Sequence, residues 1–257
     1  QTGKGVSDFH TGDRVVSNGN HAEYVVVNQN LCTRIPDNTD IKEASFTVLG
    51  SIALHGLRLS ETSLGSKVVV IGLGIIGQLV CRLAEAQGSE VIGIDPDTKR
   101  TDMSANFYTS VEEANMTNVD SVIITAATSS NEPIEVATKI ARNKAKIVVV
   151  GDIPLNISRN DFYYKELELV VSKSYGPGRY DKQYEILGKD YPIEYVRWTE
   201  NRNFEAFIKL LSQNQIHLLD LVTEEVSFEN APSIYKKFSG EDKPLSIVLR
   251  YDNKSEP

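Results

Sequence analysis

Apolar residues along this chain come in two rhythms. In the middle they form short, continuous, β-branched runs: Lys67–Ile71 (KVVVI), Val91–Ile94, Asp120–Ala126 (DSVIITA), Ala145–Gly151 (AKIVVVG) and Leu167–Ser172 (LELVVS). Runs of that length without alternation predict strands buried on both faces, as in a parallel sheet. Asn106–Ser110 supplies one further short strand, and the twelve-residue stretch ahead of it leaves room for barely one crossover helix. Between strands, Ile76, Leu79, Val80, Leu83 and Ala84 recur at helical spacing, with Gly88 at the place of a C-terminal cap. Pro133 suits a helix start, and Ile134, Ala137, Ile140 and Ala141 follow at the same spacing. Six strands alternating with helices predict an α/β fold, a Rossmann-type doubly wound parallel sheet.

The flanks read differently. Gly12–Val16 is a turn into a strand, Ser17–His21 a tight polar loop and Glu23–Val27 a second strand, which together predict a hairpin; Leu31–Ile35 is a third short strand. Antiparallel strands ahead of a parallel unit predict a separate small domain. Ile41–Leu59 is helical in period, with Val48, Ile52, His55 and Leu59 on one side. Tyr175–Asn203 has little periodicity and is rich in Tyr, Arg and Gly. Beyond it come a helix at Glu205–Leu211, an extended stretch at Leu218–Phe228, and an amphipathic helix on Ala231, Ile234, Tyr235 and Phe238 that Gly240 ends. Leu245–Tyr251 alternates as a strand completing an earlier sheet, and Asp252–Pro257 reads as a disordered tail.

The first buried run leads straight into Gly72-Leu73-Gly74-Ile75-Ile76-Gly77, and the second stops at Asp95. Each residue has a chemical reason to be there. Gly72 permits a sharp turn out of the strand, Gly74 leaves room for a pyrophosphate, and Gly77 lets the helix lie close to the sheet. The helix start at Ile75 and Ile76 turns free amides and a positive dipole end toward phosphates. A carboxylate at Asp95 can accept both ribose hydroxyls of an adenosine. Strand, turn, helix and acid at these distances predict a dinucleotide site.

Composition narrows the function. Net charge is -8 and no basic cluster stands out, which argues against a nucleic-acid surface. No apolar run approaches the roughly 20 residues of a membrane span. The two cysteines, Cys32 and Cys81, form no framework, so a reducing cytoplasm is the default expectation.

Several segments resemble the medium-chain dehydrogenase/reductase superfamily, the zinc-type alcohol dehydrogenases and their relatives: GDRVV (Gly12–Val16), AEYVVV (Ala22–Val27), IALHGL (Ile52–Leu57), VVVIGLGIIGQ (Val68–Gln78), IGIDPD (Ile92–Asp97), VVVGDI (Val148–Ile153) and LVTEEVSFENAPSIYKKF (Leu221–Phe238). SYGPGRYD and YVRWTE resemble more narrowly the bi-domain oxidoreductases of bacterial surface-polysaccharide gene clusters. The resemblance implies a barrel-like (GroES-like) catalytic domain, its first part missing ahead of Gln1, built from residues 1–45 and 204–257. It implies a Rossmann domain over 46–175 and a substrate-side insertion over 176–203. It also implies nicotinamide contacts at Ala126, Thr128, Val150, Gly151 and Asp152, and a role for Arg100 at the adenosine ribose. Zinc-type members take a cysteine ligand from the helix before the Rossmann domain; aligning IALHGL puts Val48 there, and Ser17–Ala22 is too short for a structural zinc lobe. Zinc is therefore not expected.

Candidate residues divide by role. His55 is a weak catalytic candidate against the plainer reading of a hydrogen-bonded core histidine. Tyr175, Arg179, Tyr180, Arg197 and Trp198 can stack on a sugar or grip a carboxylate or phosphate, against the reading of a well-ordered loop or subunit contact. Lys165, Lys173 and Lys182 are open as acids. The expected function is NAD-dependent hydride transfer, NADP being less favoured because of Asp95, on an alcohol or ketone of a sugar or sugar nucleotide. The alternative is a non-catalytic dinucleotide-binding module of a larger fused protein. The expected partners are a small-molecule substrate and a second copy of the chain in a homodimer, with neither nucleic acid nor membrane.

Overall fold

The computed structural model describes residues 1–239 and 243–251. Along it run β1 (Val15–Ser17), β2 (Cys32–Arg34), α1 (Ile41–Ala44), α2 (Thr47–Leu59), β3 (Lys67–Ile71), α3 (Ile75–Ala86), β4 (Glu90–Ile94), α4 (Thr98–Thr101), β5 (Phe107–Tyr108), α5 (Val111–Ala114) and β6 (Val119–Ile124). There follow α6 (Glu132–Ile140), β7 (Ala141–Val149), α7 (Arg159–Lys165), β8 (Glu168–Val171), α8 (Lys182–Glu185), α9 (Glu200–Ser212), β9 (Glu224–Ser227), α10 (Ala231–Tyr235) and β10 (Ile247–Arg250).

Six strands form one parallel sheet in the order β5-β4-β3-β6-β7-β8. Strand order reverses between β3 and β6, so a crevice opens at their carboxyl ends. The predicted apolar runs are buried on both faces. Val68 and Val70 point into a core shared with α2, α3 and α9, and Val69 and Ile71 into one shared with α6. Each such side chain contributes roughly 1.5–3 kcal/mol on full burial. Small residues let α2 lie close to its neighbours. A Cβ on Gly50 would come 2.2 Å from the ring of Phe207 on α9, and one on Gly56 2.6 Å from Val150.

Four expectations need correction. Glu23–Val27 is not a strand; β1 pairs antiparallel with β2 instead. The 23–27 stretch has the right alternation, but no neighbouring backbone pairs with it among the described residues, and Tyr24 is 80% exposed. The helix expected over Ile41–Leu59 is two, broken at Ser45–Phe46, with the side chain of Asp40 accepting from Lys42 N at the start of the first. Its fully buried face carries Ala53, Leu54 and Leu57, while the row Val48, Ile52, His55 and Leu59 is only half-buried. The helix expected at Glu205 begins at Glu200, capped by the Thr199 side chain, so a domain boundary at 204 would cut through α9. The closing strand β10 pairs parallel with β9, not with β1 and β2. Gly240 and the tail Asp252–Pro257 lie outside the described residues.

Candidate dinucleotide site and adjoining cavity

The turn between β3 and α3 is built from three glycines with three different constraints. Gly72 has φ +96°, where a side chain is strained, and a Cβ there would lie 2.5 Å from Ala126 N. A Cβ on Gly77 would lie 1.9 Å from Gly72 O, so α3 rests directly on the turn. Gly74 differs. Its φ of -62° and ψ of -177° suit any residue, and a Cβ there meets no atom within 4 Å. The protein's own atoms do not require glycine at 74; what a side chain would occupy is the open space in front of α3. The first amides of that helix lack intrahelical acceptors, which makes this space attractive to an anion.

Asp95, at the end of β4, is fixed over the same turn. Leu73 N donates to its Oδ2 at 2.6 Å and Asp97 N to its Oδ1 at 2.9 Å. The remaining lone pairs of the half-exposed carboxylate are available to a ribose diol. Arg100 is held by its own neighbours: its Nη2 donates to Lys243 O at 3.1 Å and its Nε lies 3.7 Å from Asp97. Ala126 and Thr128 meet Val150, Gly151 and Asp152 at the carboxyl ends of β6 and β7. Val150 N and Gly151 N donate to Ile124 O, Thr128 N donates to Asp152 O, and a Cβ on Gly151 would lie 2.0 Å from Ala126 O. Ile75 and Ile76 begin α3. The expected cofactor residues therefore converge on one crevice, and the open cradle at Gly74 fits a pyrophosphate.

A cavity of about 800 Å³ adjoins this crevice through Ile75. Tyr175, Arg179, Asn18, His21 and Val48 are in its wall. Tyr175 is 4% exposed; its hydroxyl accepts from Asn18 Nδ2 at 3.0 Å, and burial raises its pKa, so the hydroxyl keeps its proton. Arg179 pairs with Glu185 at 2.7 Å and lies over the Tyr175 and Tyr180 rings. His21 Nδ1 meets Tyr235 OH at 2.5 Å, a pair that the sequence reading did not single out.

The other candidates go elsewhere. Tyr180 is exposed beneath Arg179. Arg197 and Trp198 do not reach the cavity: Trp198 sits with Leu54, Leu57, Arg58, Thr62 and Gln87, beside the loop that enters β3 and the end of α3. Those loops lie at the amino edge of the sheet, away from the crevice. The Tyr/Arg-rich stretch folds back along α2 and so delivers its two ends to opposite places. His55 is not part of the cavity wall. It is half-buried beneath Gly176, and burial, helped by the Arg58 charge, lowers its pKa to about 4, so it is a neutral core imidazole. Lys165 is committed to the carbonyls of Thr138, Lys139 and Ala141.

Sequence reasoning missed Glu200. It is fully buried at the start of α9, and neither carboxylate oxygen has a hydrogen-bond partner. Burial, reinforced by Glu185 and opposed by Arg179 and Lys173, raises its pKa to about 8. Only the Thr199 cap in the sequence hints that Glu200 opens a helix; nothing local shows what covers it.

Among the described residues, this cavity wall gathers no set of metal donors. The helix start offers Val48, whose side chain has no lone pair. Among the described residues no three His, Cys, Asp or Glu side chains gather to hold an ion.

Comparison with known proteins places this geometry. Residues 50–161 match the family model for the NAD-binding domain of D-isomer-specific 2-hydroxyacid dehydrogenases, a match confined to the dinucleotide-binding part. Over nearly the whole chain the similarities are to alcohol and polyol dehydrogenases, as the motifs led us to expect. D-guloside 3-dehydrogenase of Escherichia coli K12 is 25% identical, covering 97% of this chain and 73% of that protein. Galactitol-1-phosphate dehydrogenase from Escherichia coli superposes with a TM-score of 0.76 at 20% identity, over 96% of this chain and 80% of that one. A Sinorhizobium meliloti dehydrogenase described as zinc-binding, solved with NADP, superposes with a TM-score of 0.68 at 20% identity, over 88% and 64%. The fold is thus that of these dehydrogenases, a parallel Rossmann-like sheet joined to GroES-like strands. No helix among the described residues is long and apolar enough to cross a membrane.

Glu200 gives this site a pH signature. Its folded pKa lies above the ordinary 4.5, so the folded state holds a proton that the unfolded chain releases. The stabilisation is complete below about pH 4.5 and is lost progressively as pH rises toward 8. Glu200→Gln should therefore be more stable than the parent by a few kcal/mol at pH 8, with the gap closing toward pH 4.5. Urea unfolding across that range tests this; a gap independent of pH contradicts it.

Proposed function

We propose that this chain supplies the cofactor-binding and substrate-facing parts of an NAD-dependent oxidoreductase. It would transfer a hydride between nicotinamide and an alcohol or ketone of a sugar, polyol or sugar nucleotide, without catalytic zinc. The observation that carries the reading is Gly74: an unstrained glycine facing open space at a helix start, with a fixed carboxylate beside it. The relatives support the substrate class, since those named above act on a guloside and on galactitol 1-phosphate. The narrower resemblance to polysaccharide-cluster oxidoreductases points the same way.

The roles of the residues follow from their chemistry. The bound cofactor supplies the hydride chemistry; the protein supplies orientation and electrostatics. Amides at the start of α3 hold the phosphates, and Asp95 accepts from the adenosine ribose. Ala126, Thr128 and Val150–Asp152 flank the nicotinamide end. Tyr175 keeps its proton and, with Asn18 behind it, can donate to a developing alkoxide. Arg179 lies on the same wall, its charge shared with Glu185. This division replaces His55 with Tyr175 as the candidate acid and removes Arg197 and Trp198 from the substrate side. The split of the chain into residues 1–45 with 204–257, 46–175 and 176–203 belongs to the same proposal, with the last boundary moved to the start of α9. A homodimer and a cytoplasmic location belong to it as well.

Two measurements test it. Fluorescence titration should show NADH binding at least about tenfold tighter than NADPH, because a 2′-phosphate would sit against Asp95. Asp95→Ser should narrow that gap; equal or tighter NADPH binding by the parent contradicts the assignment. Elemental analysis of protein purified without chelator should find far less than one zinc per chain, with keto-sugar reduction by NADH unaffected by chelation. Near-stoichiometric zinc, with activity lost on chelation and restored by the metal, contradicts the zinc-free reading.

A further inference from the structure

Away from the crevice, Trp198 carries a guanidinium on each face. Arg58 Cζ lies 3.3 Å and Arg197 Cζ 3.8 Å from the centre of its ring. Two planar groups that close to one ring centre cannot share a face, so the indole stands between two like charges. Cation–π attraction offsets part of that cost. Arg58 also donates from Nε to Asn203 Oδ1 at 3.0 Å, and Asn203 is fixed in turn by donating to Tyr175 O. Beyond this, the terminal nitrogens of Arg58 and the whole guanidinium of Arg197 have no acceptor among the described residues. By contrast, Arg142, Arg179 and Arg202 each meet a carboxylate.

The surroundings set Arg58 apart from those arginines. Arg58 is half-buried, and its pKa is lowered to about 10, first by that burial and then by Arg197. A cation partly withdrawn from water gains from an anion that replaces its lost hydration. Beside it opens a cavity of about 280 Å³, lined by Leu54, Leu57, Arg58, Thr62, Gln87 and Trp198. Gln87 Nε2 and the Thr62 hydroxyl are hydrogen-bonded to each other at 2.9 Å in that wall. A planar carboxylate satisfies one guanidinium fork. Two forks approaching from opposite sides of a ring suit a tetrahedral oxyanion, whose oxygens point out of a single plane.

We propose that the Arg58–Trp198–Arg197 stack binds a phosphoryl group at the edge of the indole, at a site separate from the dinucleotide crevice. Both guanidiniums donate to its oxygens, and the adjoining cavity takes whatever the phosphoryl group is attached to. The site does not depend on the oxidoreductase reading, and it is present whether or not the glycine turn holds a cofactor.

Calorimetric titration with inorganic phosphate tests this, using chloride to hold ionic strength constant. The expected result is saturable binding in the parent, weakened at least about tenfold in Arg197→Gln and partly kept in Arg197→Lys, which retains charge without the fork. Arg58→Gln should abolish it. Arg197 is exposed, so its variants keep the test decisive if Arg58→Gln fails to fold. Phosphate bound at the glycine turn instead would respond to neither arginine. Glucose 6-phosphate in place of inorganic phosphate identifies the source: tighter binding assigns the site to a phosphorylated sugar, equal or weaker binding to free phosphate. No saturable heat, or equal affinity in the parent and Arg197→Gln, overturns the proposal.

Discussion

The contact between Gly77 and the carbonyl of Gly72 sets the rest of the structure. With only 1.9 Å available for any added carbon, α3 lies directly on the end of β3. That closeness aims the start of α3 into the crevice where strand order reverses. Thr125 donates to the same carbonyl at 2.5 Å, tying the end of β6 to the turn. Because β3 is central, the hydrophobic faces on both of its sides align with this contact, and the crevice is a consequence of how the core is arranged.

Around that fixed centre the chain builds a second, more polar region. α2 and α9 meet through Gly50 and Phe207, and the 175–203 stretch wraps along α2. The wrapping buries Tyr175, Tyr184 and Glu200 while leaving Arg179 at the cavity. A buried, unpartnered carboxyl is costly unless it stays neutral, which explains why Glu200 holds its proton to higher pH than an ordinary glutamate. The same wrapping carries Trp198 to the far end of α2, between two arginines.

What was legible in the sequence was local. Gly72, Gly74, Gly77 and Asp95 lie within one strand–turn–helix–strand unit, so spacing alone brought them to one turn of the chain. The buried strands were legible because their neighbours cover both faces whatever the register. What depended on distant partners was not. Glu23–Val27 has a strand's alternation, but pairing depends on another backbone, and β1 found Cys32–Arg34 instead. Arg197 and Trp198 share a composition with Tyr175 and Arg179, but the path of the loop separates them. Glu200 looks like any helix-start acid until the loop that covers it is in place.

The central claim is that the open space at Gly74 belongs to a dinucleotide. A Cβ at position 74 meets no other atom of the protein within 4 Å, and the two methyl groups of Gly74→Val carry the side chain further into that space. Titration of the variant with NADH should show binding weakened by at least about a hundredfold, while the melting temperature of the ligand-free protein stays close to that of the parent. A variant that melts like the parent and still binds NADH as tightly would contradict the account.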